Sequence, residues 1–233
     1  MPITAADVMQ RVTVILQDDG AVRWPATELL KWLNDGQREI ALVKPTAVTD
    51  TVEIALTTGS RQKLTGSNLS LIRVHRNLEN LDADIGGRTG GRAIRAIERS
   101  VLDNQIPGWT DPTIMPHSAT VDHVIHDDAN PREFFVVPGN DGTGVIEATV
   151  ALIPDDIAEP ANPLQIESYT AALAIPEIWR GALTDYVLYR SYSKDSQSPN
   201  AGNRAVMHFQ QFQQALGIKI ATDQALNPDR AGA

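Results

Sequence analysis

The chain of 233 residues has no cysteine. That absence removes disulfides, thiolate nucleophiles and cysteine metal sites together, and is compatible with assembly in a reducing cytoplasm. No apolar stretch approaches the roughly 18 residues that a bilayer span requires, so no membrane is expected as a partner. The start, Met1-Pro2-Ile3-Thr4, lacks a basic segment followed by an apolar one, so no secretory signal is expected. A basic excess is missing too: 20 Lys and Arg against 29 Asp and Glu give a net charge of −9. A general DNA-binding protein, which neutralises phosphates with a basic surface, is thereby disfavoured. A protein that DNA slides past is not, because an acidic wall repels the backbone; simple solubility accounts for the charge equally well. No repeat of 20–50 residues is apparent, which argues against a solenoid. What is present is ordinary globular usage, with 42% hydrophobic and 21% charged residues. The length allows one large domain or two small ones with a proper core.

The patterning falls into three parts: helical, then strand-like, then helical again. Val8, Val12 and Ile15 recur at helical spacing from Thr4 onward, and Asp18-Asp19-Gly20 ends the run. A second helix opens at Trp24-Pro25, carries Leu29, Leu33, Gly36, Ile40 and Val43 on one stripe, and closes at Pro45. Asn34-Asp35-Gly36 also reads as a turn, so two short helices are the alternative. The apolar phase continues across Gly36, which favours one helix whose glycine lets another approach closely, at about 1 kcal/mol of lost propensity. From Val48 the period is two: Val52, Ile54 and Leu56 alternate with polar neighbours, and Thr57-Thr58-Gly59-Ser60 supplies a turn. Further strands are expected over 69–75, 121–126, 133–137 and 145–152, as in a small antiparallel sandwich or barrel. Residues 93–97 read as a strand followed by a helical turn near 101–105. After a proline- and acid-rich linker over 154–163, helix character resumes at Pro176, with Ile178, Ala182, Tyr186 and Tyr189 on one face, widened by Trp179, Leu183 and Val187. A polar break over 196–203 precedes a last helix bearing Ala205, Phe209, Phe212 and Leu216, ended by Gly217. The rest is expected to be an extended or disordered arm.

Three strings invite a chemical reading. His123-x-x-His126-Asp127-Asp128 resembles a metal-ligand set, but in a strand residues three apart face opposite sides of the sheet and cannot converge on one ion. Gly86-Gly87-Arg88-Thr89-Gly90-Gly91-Arg92 is glycine-rich and basic, yet lacks the Lys-Ser/Thr that follows the last glycine of a P-loop. A mobile hairpin tip is expected there instead, with arginines at 88, 92, 95 and 99 placed to touch an acidic partner or passing DNA. Tyr186, Tyr189 and Tyr192 with Arg180 and Arg190 form a stripe, which at helical spacing reads as core and interface. No Gly-x-Ser-x-Gly elbow or other nucleophile constellation is present. No catalytic residue, cofactor or metal is expected.

Trp24 to Ile40, beginning Trp-Pro-Ala-Thr-Glu-Leu-Leu-Lys-Trp-Leu-Asn, resembles the second helix of phage head-to-tail adaptors, the tubular tail protein A-like or gatekeeper-ring proteins of short-tailed phages. Asp127 to Pro138 and Ala182 to Asp195, with Phe209, Phe212 and Leu216-Gly217 beyond, are similar to further segments of that group. The resemblance implies an α+β protein: a helical bundle formed by both chain ends, an inserted antiparallel β domain facing the tail, and an extended C-terminal arm. The expected divisions are 1–47 with 168–217, then 48–167, then 218–233. It further implies a dodecameric ring of this chain beneath the portal protein, joined to a tail tube or nozzle protein. Genomic DNA would pass through the channel during ejection without sequence-specific binding, and the protein would reside in the virion neck. Trp24, Trp32, Trp179, Tyr186, Tyr189, Arg190, Phe209, Phe212, Ile220 and Leu226 are expected at assembly interfaces, and Arg88 and Arg92 on a channel or partner loop. Rival readings are a head-completion or tail terminator protein, a metalloenzyme centred on His123 and His126, and a carbohydrate- or protein-binding module built on the β region. The last needs an aromatic platform, whereas that region offers only Trp109, Phe134 and Phe135.

Overall fold

The computed structural model describes residues 3–79, 89–127, 129–195 and 200–226, with side chains as far as Gly217 in the last stretch. In chain order the elements are α1 (Ala5–Leu16), α2 (Ala26–Val43), β1 (Thr49–Ala55), β2 (Gly59–Lys63), β3 (Asn68–Glu79), β4 (Thr89–Ala93), β5 (Arg95–Ala96), α3 (Arg99–Gln105), β6 (His123–His126), β7 (Glu133–Asn140), β8 (Val145–Leu152), α4 (Arg180–Lys194) and α5 (Ala201–Leu226). This is an α+β chain. It divides into two compact units, one taking both chain ends, up to Val48 and from Ile153, the other being Thr49–Leu152.

The helical unit begins with a reciprocal cap. The Thr4 hydroxyl accepts the Asp7 N–H at 3.2 Å, and the Asp7 carboxylate accepts the Thr4 N–H at 2.8 Å, satisfying two donors that the first turn of α1 leaves open. Helix α2 runs unbroken through Gly36, so Asn34-Asp35-Gly36 is helix and not a turn. Its stripe of Leu29, Leu33 and Ile40 meets Val8, Met9 and Val12 of α1, Leu183, Val187 and Leu188 of α4, and Phe212 and Leu216 of α5 in one core. The expected stripes overreach at their ends. Ile15 and Val43 lie in last turns and are 44% and 46% exposed, and Ile178 is 66% exposed. Ile178 belongs to a 3₁₀ turn, Glu177–Trp179, whose tighter winding shifts the phase and sends Trp179 inward in its place. Residues 153–167 fall in the helical unit. There Asn34 bonds both the N–H and the C=O of Ile157, each at 3.1 Å, while Gln37 accepts the N–H of Ala174 at 3.0 Å.

The expected stop at Gly217 does not occur: α5 continues to Leu226, so the stretch from 218 is helical there instead of an extended arm. Gly217 does not take the left-handed conformation that a stop requires. As an ordinary helical residue it costs only about 1 kcal/mol, and Ala221, Gln224, Ala225 and Leu226 favour continuing.

The other unit holds two four-stranded sheets, ordered β1-β8-β3-β4 and β2-β7-β6-β5. Every pair is antiparallel except β5 with β6. Val74, Ile146, Ala148 and Val150 of the first sheet share a core with Val124, Phe134 and Val136 of the second. The alternate residues Ile125, Phe135 and Val137 pack on the reverse face against Leu102 of α3 and Trp109 after it. Strands β6 and β7 are thus covered on both faces at their centres, which is why Val124 and Ile125, and residues 134–137, are apolar without alternation. Strand β2 replaces part of the expected turn, because the Gln62 amide closes Thr57–Gly59 from within: it accepts the Thr57 N–H at 2.8 Å and donates to the carbonyls of Thr57 and Gly59.

Candidate functional site

His123 and His126 are the first and last residues of β6. The alternation along that strand puts His123 on the side of Ile125 and His126 on the side of Val124, so the two rings face opposite ways. Nε2 of His126 lies 3.4 Å from the Pro131 carbonyl. Asp128 lies outside the described residues, among which no group of three or more His, Asp or Glu is placed to hold a metal ion.

The glycine-rich string divides. Gly86, Gly87 and Arg88 lie outside the described residues, while Thr89 to Arg92 belong to β4, which corrects the expectation of a mobile tip for that half. The pairing explains the glycines. A Cβ at Gly90 would stand 2.6 Å from the Arg76 guanidinium, and one at Gly91 would stand 2.7 Å from the Glu79 carboxylate. The Arg76 and Glu79 side chains of β3 therefore lie over the glycines of β4, and a larger residue there would have to displace them. Arg92 pairs with Asp122 at 2.7 Å while remaining largely exposed. Arg95 is exposed on β5, whereas Arg99 sits over the Phe135 ring at 5.1 Å and reaches Asp103 at 3.4 Å.

Of the residues expected at interfaces, Trp24, Trp32, Trp179, Tyr186 and Phe212 are buried in the helical unit's own core. Trp24 donates its indole N–H to the Ser191 carbonyl at 3.1 Å, and the neighbouring Arg23 pairs with Asp195, fastening the α1–α2 loop to the end of α4. Lys194 and Glu28 form a second tie there. An aromatic seam then joins α4 to α5: Tyr186 meets Phe212 at 5.2 Å, Tyr189 meets Phe209 at 4.9 Å, and Tyr192 stacks on His208 at 5.6 Å. Nδ1 of His208 lies 2.9 Å from Asp185. Burial pushes the Tyr186 phenol above its ordinary value, with Arg190 acting against that and Glu39 and Asp35 adding to it. Tyr189, Arg190 and Phe209 keep partial exposure. Ile220 and Leu226 belong to α5, and their side chains lie outside those described.

The surface holds apolar side chains that the sequence reading did not single out. Val14, Val22, Leu42, Leu164, Val206 and Met207 are all exposed, as is Ile178, which was expected on a buried face. Adjacent Val206 and Met207 carry a signal visible in the sequence, because after Arg204 no Asp, Glu, Lys or Arg follows until Lys219. The others carry none. Among the described residues no helix is long and apolar enough to cross a membrane.

The family model described as SU10 adaptor protein matches residues 3–232 of the chain. No curated protein matches it.

Proposed function

The chain belongs to the SU10 adaptor protein family, so it is a phage adaptor, and on that premise we propose that it is the head-to-tail connector subunit. In this reading twelve copies form a closed ring between the portal protein and the tail tube or nozzle protein. Genomic DNA passes through the centre during ejection and meets an acidic chain that does not retain it. The protein is structural and sits in the virion neck, and it performs no catalysis.

The observation that carries the reading is the family match over nearly the whole chain, from residue 3 to 232, so that it embraces both units. The exposed apolar side chains of the helical unit support it, because a head-to-tail ring needs two different sticky surfaces on each subunit. Each contact is completed only where neighbours are held in register, so the portal acts as template. Purified chain mixed with its cognate portal should form a closed ring visible by electron microscopy. A chain that never co-sediments with that portal at micromolar concentration would sink the proposal.

A further inference from the structure

We propose that the outward face of α5, centred on Val206, Met207, Gln210 and Gln213, seats a second copy of this chain. The inward face of this helix is already used, since Ala205, Phe212 and Leu216 are buried in the core and Phe209 packs against it. On the other side Val206 is 57% and Met207 46% exposed, and Gln210, Gln211, Gln213, Gln214 and Gly217 are exposed with them. Helical geometry sets Val206, Gln210, Gln213 and Gly217 on successive turns of one stripe, with Met207, Gln211 and Gln214 alongside.

Charge selects the occupant. From Ala205 to Ile218 the sequence has no Asp, Glu, Lys or Arg, the longest such run in the chain. The other long helices expose charge within their length: Arg11 on α1, Lys31 and Glu39 on α2, and Lys194 on α4. Helix α5 exposes Arg204 in its first turn and then no charged side chain as far as Gly217. Two copies that each carry a net charge of −9 repel one another over most of their surfaces. They meet at least cost where neither presents a like charge. A basic partner would be drawn instead to the carboxylates elsewhere. The glutamines fit the same occupant, because a primary amide both donates and accepts and so needs no partner of opposite sign. Gly217 adds a geometric point. A Cβ there would meet nothing within 4 Å, so the chain's own packing does not require glycine. Its place on the stripe lets a neighbouring backbone approach closely.

This inference rests on the adaptor reading only for its setting in the ring, and the test separates the two. Val206→Glu and Gln213→Glu each put the chain's own sign of charge on the face at an exposed position, so their melting temperatures should match wild type. Sedimentation of the full chain over rising concentration, and the number of copies loaded per portal, are measured for wild type and both variants. The expected result is weakening of copy-to-copy association by about tenfold or more in solution, or depleted rings where the wild type assembles only on the portal. Variants that associate and load like wild type overturn the inference while leaving the adaptor reading standing. A wild type that self-associates through this face yet ignores the portal supports the inference and sinks the adaptor reading. A wild type that does neither sinks both.

Discussion

Gly36 of α2 lies against Leu183 of α4 so closely that a Cβ added at residue 36 would come within 2.6 Å of Leu183 Cδ1, and within 2.9 Å of Tyr186 Cδ1. Leu183 is fully buried and Tyr186 nearly so, leaving neither room to retreat. Gly36→Ala gains about 1 kcal/mol of helix propensity but overpacks the crossing against two buried neighbours, which costs about 2–3 kcal/mol, the upper part of the usual range. The expected net result is a loss of about 1–2 kcal/mol, seen as a melting temperature lower by about 2–8 °C for a chain of this size. An unchanged or higher melting temperature would show that α2 and α4 separate without penalty.

That crossing was legible in the sequence because it rests on one local period: the apolar stripe of α2 runs in phase through Gly36. Local periodicity likewise located α1, α4, β1, β3 and β6 to β8, and the turn of helix that became α3. Strands β2 and β4 were hidden because Gly59, Gly90 and Gly91 read as turn residues. Their backbones pair with β7 and β3, which lie some distance away in the sequence and carry no local signal of the partner. The aromatic interface residues misled for another reason. An amphipathic helix announces that it has an apolar side, but not whether that side meets its own core or a neighbour. Trp24, Trp32, Trp179, Tyr186 and Phe212 went inward, and Val206 and Met207 were left outside. Amides such as Asn34 and Asn140 carry no pattern at all.

Asn140 makes the strongest claim among those amides. It is fully buried, donates to the carbonyls of Ser118 and Ala119 at 2.9 and 3.1 Å, and accepts from the N–H groups of Gly142 and Gly144 at 2.8 and 3.1 Å. Asn140→Ala strands four backbone groups and is expected to cost about 3 kcal/mol or more. Asn140→Asp keeps the acceptor but turns a carboxylate oxygen toward two carbonyls, so it should be at least as damaging. Denaturant midpoints within error of wild type for both variants would show that water satisfies the loop.

The α1 cap makes stability depend on acid in a defined direction. Hydrogen bonds from the Thr4 N–H and then its hydroxyl hold the Asp7 carboxyl below its ordinary value, against a smaller opposing effect of burial. A carboxyl lowered in the folded state contributes fully above its unfolded value of about 3.9, and that contribution disappears as pH falls through the folded value. Asp7→Ala should therefore melt a few degrees below wild type at neutral pH, with the gap narrowing once pH falls below the unfolded value of about 3.9. A gap independent of pH would mean that the side chain acts by packing and not by its charge.

His123 and His126, facing opposite ways on β6, should not behave as a ligand pair. The double replacement His123→Ala, His126→Ala should leave zinc content unchanged, and added zinc should shift the melting temperature of wild type no more than that of the variant. Stoichiometric zinc in the wild type, lost in the variant, would revive a metal-centred reading.

The C-terminal part of α5 separates folding from assembly. Leu216 is the last described side chain in the core, yet the helix backbone continues to Leu226. A segment of this length does not hold helix strongly by itself and relies on what it packs against. If residues beyond Lys219 serve contacts with the portal or a neighbouring copy, truncation there should move the melting temperature by less than about 3 °C, equivalent to about 1 kcal/mol. The same truncation should sharply reduce the copies bound per portal. A large fall in melting temperature would assign the segment to the fold of the helical unit. Normal loading by the truncated chain would show that ring and neck form without it.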